Sequence, residues 1–182
     1  MEVALVVNRE LKQETNVKTK YEELFKQALL DCNIPTLYEL TIFPVEESKN
    51  GRAYLPDFIT AMFIEGKIVV IEPHSHFLID LSYLDKLDKF RKKYDFYLIL
   101  ASDKPAERII KANILNFVDD FWLVKEYSIQ NEASIKDDIV SKIDELKQKV
   151  EIKSEIELLS ILYPKIKEAE RINALKSAKK QN

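Results

Sequence analysis

The sequence predicts a three-layer α/β fold, in which helices cover both faces of a mixed β-sheet. Short apolar runs rich in β-branched residues are typical of strands. They alternate with longer segments whose apolar residues recur every three or four positions, as on one face of a helix. The chain has 182 residues, of which 46% are hydrophobic and 32% are charged. This length and composition fit one globular domain with a reasonable core and room for an appendage.

The first part of the chain predicts a strand, a helix and a second strand. The β-branched run at residues 3–7 predicts the first strand. A helix is expected over about residues 17–32, because apolar side chains recur there at helical spacing, with Asn16 or Thr19 as its N-cap. Residues 36–43 alternate apolar and polar side chains, which predicts the second strand.

The middle of the chain predicts a β-hairpin. Residues 53–64 and 67–71 are apolar runs, and Glu65-Gly66 between them is a pair that favours a tight turn. Asn50-Gly51 closes the polar loop that precedes the hairpin. We therefore expect two adjacent antiparallel strands at the centre of the fold.

Four further elements complete the predicted core. Residues 79–94 place Leu81, Leu84, Leu87 and Phe90 on the expected buried side of a helix, and residues 95–101 are continuously apolar, as in a strand buried on both faces. A short helix at 104–115 and a strand at 116–124 follow. From the first helix onward the order is α-βββ-α-β-α-β, which predicts a mixed sheet flanked by helices.

The composition changes near residue 131, and we expect an α/β core over 1–130 and a helical extension over 131–182. The extension has apolar residues at helical spacing among dense mixed charge, which predicts two helices with a break at 152–154 and a kink or stop before Pro164. A solvated bundle or a dimerising arm is the favoured interpretation, and a DNA-binding role is the alternative.

Composition limits the setting and the class of protein. The formal net charge of −3 excludes a uniformly basic nucleic-acid-binding chain but allows one basic face. The single cysteine, Cys32, excludes an internal disulfide and a cysteine-based zinc cluster. No apolar run is long enough for a membrane span, and the first residues lack a signal-peptide pattern. We expect a cytoplasmic protein, or one in the host cytoplasm if it is viral.

Two acids of the hairpin are the main functional candidates. Asp57 lies at the start of its first strand and Glu72 lies fifteen positions later, at the end of the second. In a tight antiparallel hairpin these positions come together at one end of the sheet. Two converging carboxylates suit Mg²⁺ or Mn²⁺, which would polarise a phosphate and activate water. The alternative is a structural salt bridge with Arg52 or a lysine.

The segments YLPDF and IVVIEPH, with the hairpin between them, resemble the catalytic motif of the PD-(D/E)XK nuclease superfamily. The resemblance covers residues 17–124 and includes the element order. It implies a restriction-endonuclease-like fold and a Mg²⁺- or Mn²⁺-dependent DNA endonuclease, with Asp57 and Glu72 as metal ligands and Glu22 or Glu23 as a further catalytic acid. The TKYEELF helix looks most like archaeal Holliday junction resolvases and related archaeal or viral nucleases. That likeness implies duplex or branched DNA as the partner and a homodimer.

One position departs from the motif. His74 occupies the place of the superfamily's lysine, which is thought to orient the attacking water and stabilise developing charge. A histidine can accept a proton near neutral pH and, when charged, can interact with phosphate. Catalysis by His74 and a structural role for it both remain open. So does a degenerate module of the same fold that binds DNA or a protein without cleaving.

Two further expectations concern ligands. Lys20, at the start of the first helix, and Arg52, in the loop before Asp57, are the basic residues expected to contact DNA, because we expect them around the same sheet edge as the acids. A weaker alternative is a zinc site made by His74, His76 and Glu72, since both imidazoles would lie on one side of a strand. Nothing else in the sequence supplies a further zinc ligand.

Overall fold

The structure is a computed structural model of the chain, and it describes residues 19–46, 51–75, 79–103 and 113–180. Within these residues the chain is mixed α/β, with helices on both faces of a mixed sheet, which confirms the predicted class. The predicted strand at 3–7 and most of the predicted helix at 104–115 lie outside the described residues.

The described elements are four helices, eight strands and two short 3₁₀ turns. The helices are α1 (Lys20–Asp31), α2 (Leu81–Tyr94), α3 (Glu132–Lys147) and α4 (Glu155–Lys180). The strands are β1 (Thr36–Tyr38), β2 (Phe43–Pro44), β3 (Ala53–Tyr54), β4 (Phe58–Ile64), β5 (Lys67–His74), β6 (Phe96–Ser102), β7 (Asp120–Leu123) and β8 (Glu151–Ile152). The 3₁₀ turns are Ile114–Asn116 and Ile129–Asn131.

The main sheet has the order β1-β4-β5-β6-β7, and β8 also pairs with β4. Strand β4 is antiparallel to both β1 and β5, whereas β5, β6 and β7 run parallel to one another. Parallel neighbours need a crossover connection, and α2 supplies it between β5 and β6. The edge beside β4 is shared, because β1 pairs with its first half and β8 with Met62 and Phe63 near its end.

The two faces of the sheet carry two separate hydrophobic clusters. Along β5, Ile68 and Val70 belong to one cluster and Val69 and Ile71 to the other, as the alternation of strand side chains requires. Helices α2 and α4 cover the first face, and α1 and α3 cover the second. The C-terminal helices therefore contribute to the core through fully buried side chains, namely Ile135, Ile139 and Ile143 on α3 and Leu158, Leu162 and Ala169 on α4.

The strands predicted at 36–43 and 53–64 are each divided in two. The chain leaves the main sheet after β1, where Glu39 has a positive φ of 43°, and β2 then pairs with β3 in a separate ribbon. Pro56 lies between β3 and β4 and has no amide hydrogen to give to a sheet ladder, so pairing stops there. Asp57 consequently lies just before β4 and just after the ribbon.

The hairpin of β4 and β5 forms as predicted. Its turn places both Glu65 (φ 50°) and Gly66 (φ 79°) in the left-handed region, as a type I′ turn requires. The register pairs Phe58 with Ile71. Strand β5 continues beyond the predicted end at residue 71 to His74, because it pairs with β6 along its whole length.

The ends of the C-terminal helices differ from prediction at one point. The break at 152–154 is confirmed, and Ser154 and Glu157 form a capping box that begins α4. A stop before Pro164 is wrong, since α4 continues through that residue. Buried contacts of Leu162 and Ala169 on either side hold the helix against the sheet. Among the described helices, none combines the length and apolar character needed to cross a membrane.

Candidate functional site

Asp57 and Glu72 meet at the end of the β4–β5 hairpin that is opposite its turn. Glu72 is only 7% exposed and lies on the same face of β5 as Ile68 and Val70, which is the face covered by α2. The backbone amide of Asp57 donates a hydrogen bond to Oε2 of Glu72 at 3.3 Å. The half-buried Asp57 thus lies directly beside the buried Glu72.

Two tyrosine hydroxyls hold the carboxylate of Glu72. The hydroxyl of Tyr54, on β3, donates to Oε2, and the hydroxyl of Tyr83, on α2, donates to Oε1 at 2.7 Å. The ribbon and α2 therefore converge on one acid. Arg52, one of the salt-bridge partners considered from the sequence, pairs instead with Glu46 and Asp85.

The protonation of this cluster is shifted by its burial. Burial raises the pKa of Glu72, while the hydrogen bonds from Tyr54 and Tyr83 and the positive charge of Lys86 oppose that rise. Burial also raises the pKa of both tyrosines well above its ordinary value, and the charges of Glu72 and Asp57 raise it further. The two hydroxyls therefore remain protonated donors over the whole physiological range.

His74 and Lys86 complete the surroundings of Glu72. The imidazole of His74 stacks on the ring of Tyr83, with ring centroids 5.0 Å apart and an interplanar angle of 25°. The ammonium of Lys86 lies 4.9 Å from the ring centroid of Tyr83 and 5.4 Å from that of Tyr54, within range of a cation–π interaction. One ring, that of Tyr83, thus touches a buried acid, a histidine and a lysine.

The sequence alone does not mark Tyr54, Tyr83 or Lys86 as residues of the site. Tyr83 and Lys86 are three positions apart on a helix, which places them on one face. Tyr54 lies three positions before Asp57. An aromatic residue and a lysine at helical spacing, directly after a strand that carries an acid, would have been the only sequence signal for this cluster.

Glu22 and Glu23 lie on α1, on the opposite face of the sheet from Glu72. Glu22 is half-buried, and its Oε2 accepts a hydrogen bond of 2.6 Å from Tyr38 of β1. Glu23 is exposed. The structure thus brings Asp57, Glu72 and His74 together and places both acids of α1 on the opposite face of the sheet.

The two predicted DNA-contacting cations have different surroundings. Lys20 is exposed at the first turn of α1. Arg52 binds Glu46 at 2.8 Å and also binds Asp85 of α2, and Lys89 binds both of these acids at 3.0 Å. Hydrogen bonds from Arg52 and Lys89 lower the pKa of Glu46 to about 2. Arg52 therefore joins the ribbon to α2 within a four-membered ion cluster.

The donor set fits a hard divalent ion better than zinc. Glu72 accepts three hydrogen bonds, and a carboxylate has about four acceptor positions, so one position remains on Oε1. With Asp57 this gives two carboxylates, the usual protein contribution to a Mg²⁺ site. His76 lies outside the described residues. Within the described ranges, no group of three or more His, Cys, Asp or Glu side chains is placed to hold a metal ion.

No protein-family model matches the chain, and no curated protein matches it. Function is therefore inferred from the residues of the site and their geometry.

Proposed function

We propose that this chain is a metal-dependent DNA endonuclease of the PD-(D/E)XK type, with Asp57 and Glu72 as the ligands of Mg²⁺ or Mn²⁺. The observation that carries the proposal is the 3.3 Å hydrogen bond between the Asp57 amide and the Glu72 carboxylate. It brings Asp57 next to Glu72 at one end of an antiparallel hairpin, which supports a site where the two acids bind one ion.

The order of the elements supports the same proposal. Helix α1 is followed by the antiparallel strands β1, β4 and β5, then by α2 and the parallel strand β6. This corresponds to the α-βββ-α-β order of the nuclease core, with the ribbon of β2 and β3 as an insertion. The insertion is part of the site, since it delivers Tyr54 to Glu72.

Each residue near the acids has a role in this proposal. A bound Mg²⁺ or Mn²⁺ would polarise the scissile phosphate and lower the pKa of a water ligand. Tyr54 and Tyr83 orient the Glu72 carboxylate, because each donates to a different oxygen. His74, fixed against the ring of Tyr83, accepts the proton of the attacking water in place of the missing lysine.

A second candidate is a module of the same fold that binds DNA, or a protein, without cleaving. A specific observation favours it: both oxygens of Glu72 already accept tyrosine hydrogen bonds, and burial raises the pKa of this acid. A buried acid whose two oxygens are both held by tyrosine hydroxyls can serve as a structural group instead of a metal ligand. The two candidates predict opposite results in the presence of metal.

The experiment is cleavage of labelled branched, duplex and single-stranded DNA with Mg²⁺ or Mn²⁺. We expect the wild type to cleave at least one substrate, and Asp57→Asn and Glu72→Gln to lower the rate by about 100-fold or more, since even outer partners of a metal site cost about 10–100-fold. Asp137→Asn, an exposed acid on α3, is the matched control and should cleave normally. Equal cleavage by all four proteins removes the assigned centre, and binding without cleavage by the wild type supports the second candidate.

Glu22 and Glu23 are tested in the same assay. Because both lie on the opposite face of the sheet from Glu72, we expect Glu23→Gln to leave the rate unchanged and Glu22→Gln to act through Tyr38 alone. A loss of cleavage as large as that of Glu72→Gln would instead return Glu22 to the catalytic set.

A further inference from the structure

The basic residues of α2 contact different kinds of partner. Three of them bind carboxylates on α2 or on neighbouring segments: Lys89 with Glu46 and Asp85, Arg91 with Asp88 and Asp119, and Lys92 with Asp88. Lys86 binds tyrosine rings instead, and within the part of the chain that the structure describes no ion pair joins it to an acid.

The position of Lys86 is set by the two tyrosines that hold Glu72. Its ammonium lies over both rings, and the hydroxyls of those rings are the donors to the two carboxylate oxygens. Lys86 is half-buried, and its charge opposes the rise that burial causes in the pKa of Glu72. A cation that forms no ion pair of its own among the described residues is thus held beside the acidic pair.

Such a cation is available to an anion from outside the protein. A lysine ammonium is a compact charge on a flexible stem, and it binds phosphate as a point charge. The rings of Tyr54 and Tyr83 give the stem an apolar surface and the ammonium a weak attraction, so the group is oriented but remains free to move toward a ligand. Strand β5 carries His74 two positions after Glu72, and α2 places the ammonium of Lys86 over the two tyrosine rings of the site.

We infer that Lys86 contacts a phosphate of the nucleic acid beside Asp57 and Glu72, with the rings of Tyr54 and Tyr83 as its platform. This inference rests on the proposed function, because it takes DNA as the ligand. It assigns to α2 the positive charge that the motif otherwise places on the strand. It also predicts a role in binding that is separable from metal-dependent cleavage.

The test is the salt dependence of DNA binding, measured with a labelled duplex in EDTA so that no cleavage occurs. The wild type is compared with Lys86→Met, which keeps an unbranched apolar stem over the rings, and with Lys86→Arg, which keeps the charge. Lys92→Met is the matched control, because Lys92 is 63% exposed on the same helix and its loss changes the net charge equally. Melting curves first check that Lys86→Met is folded. If it is not, Lys86→Gln takes its place.

For Lys86→Met, we expect the plot of log association constant against log [NaCl] to become less steep by about 0.9, the value for one lost phosphate contact. The measurement covers about 50 to 300 mM salt. Lys86→Arg and Lys92→Met should keep the wild-type slope. If Lys86→Met and Lys92→Met show the same salt dependence while the wild type binds and cleaves DNA, the proposed phosphate contact of Lys86 is overturned and the nuclease proposal stands. If the wild type neither binds nor cleaves DNA, both are overturned.

Discussion

The hydroxyl of Tyr83 offers a direct measure of how Glu72 is held. Removing it by Tyr83→Phe leaves the ring in place, so the contacts of that ring with His74 and Lys86 persist. What is lost is the 2.7 Å hydrogen bond to Oε1, the only one that this oxygen accepts from the described residues. The perturbation is therefore confined to one donor and one buried carboxylate.

The magnitude follows from the charge of the acceptor. A hydrogen bond to an ionised group contributes about 1.5–3 kcal/mol, against about 1 kcal/mol for a neutral pair. The acceptor is the buried carboxylate of Glu72, and we expect about 2 kcal/mol at pH 8, within this range. For a chain of this length that corresponds to a fall in Tm of about 4–8 °C.

The cost should depend on pH in a defined direction. The hydroxyl of Tyr83 favours the ionised form of Glu72, whose pKa burial raises. Above that pKa the variant loses a bond to a charged acceptor, and below it the variant loses only a bond to a neutral acid. The stability difference between wild type and Tyr83→Phe should therefore be largest at pH 8 and fall toward about 1 kcal/mol as the solution is acidified.

Urea or thermal unfolding at several pH values measures this difference. Tyr38→Phe is the matched control, because its hydroxyl donates 2.6 Å to Glu22, a half-buried acid away from the site, and we expect about 1 kcal/mol or less for it. An equal cost for the two variants at pH 8, or a cost for Tyr83→Phe that does not change with pH, would refute the description of Glu72 as a buried, hydroxyl-held carboxylate.

Three further outcomes are expected. Glu46→Gln should lower Tm at pH 7 but not near pH 2, because a carboxyl whose pKa is lowered to about 2 stabilises the fold above its unfolded pKa and loses that effect as the pH falls through about 2; a deficit that is constant with pH would contradict the ion cluster. His74→Lys should lower DNA cleavage by about 100-fold, since lysine cannot stack on Tyr83 and accept a proton in the same position, and a gain of cleavage would favour a degenerate site. Ile139→Ala on α3 should cost about 2–5 kcal/mol in unfolding experiments, as a fully buried side chain does, whereas a cost near zero would mean that α3 is dispensable to the core.

Local signals in the sequence predicted the centre of the fold well. The turn residues Glu65 and Gly66 determine the hairpin, and the hairpin register brings position 57 next to position 72. Each of these inferences needs only neighbours along the chain. The N-cap of α1 is Thr19, one of the two residues predicted, for the same reason.

What the sequence could not provide depends on contacts between distant segments. Tyr83 lies eleven positions after Glu72 and Tyr54 eighteen before it, and only the packing of α2 and the ribbon on one face brings them together. The position of Glu22 could not be predicted either, because the amphipathic pattern of its helix does not say which face of the sheet the helix covers. The same pattern in α3 fits an appendage as well as a core helix, and burial of Ile139 decides between them.

The central claim is that Asp57 and Glu72 share a divalent ion. The most direct measurement is a crystal structure of the wild type grown with Mn²⁺, with anomalous diffraction used to locate the metal. We predict a manganese peak between the two carboxylates, with Tyr83 still bound to Glu72. Crystals without a peak there, grown at a Mn²⁺ concentration that supports DNA cleavage, would contradict the claim.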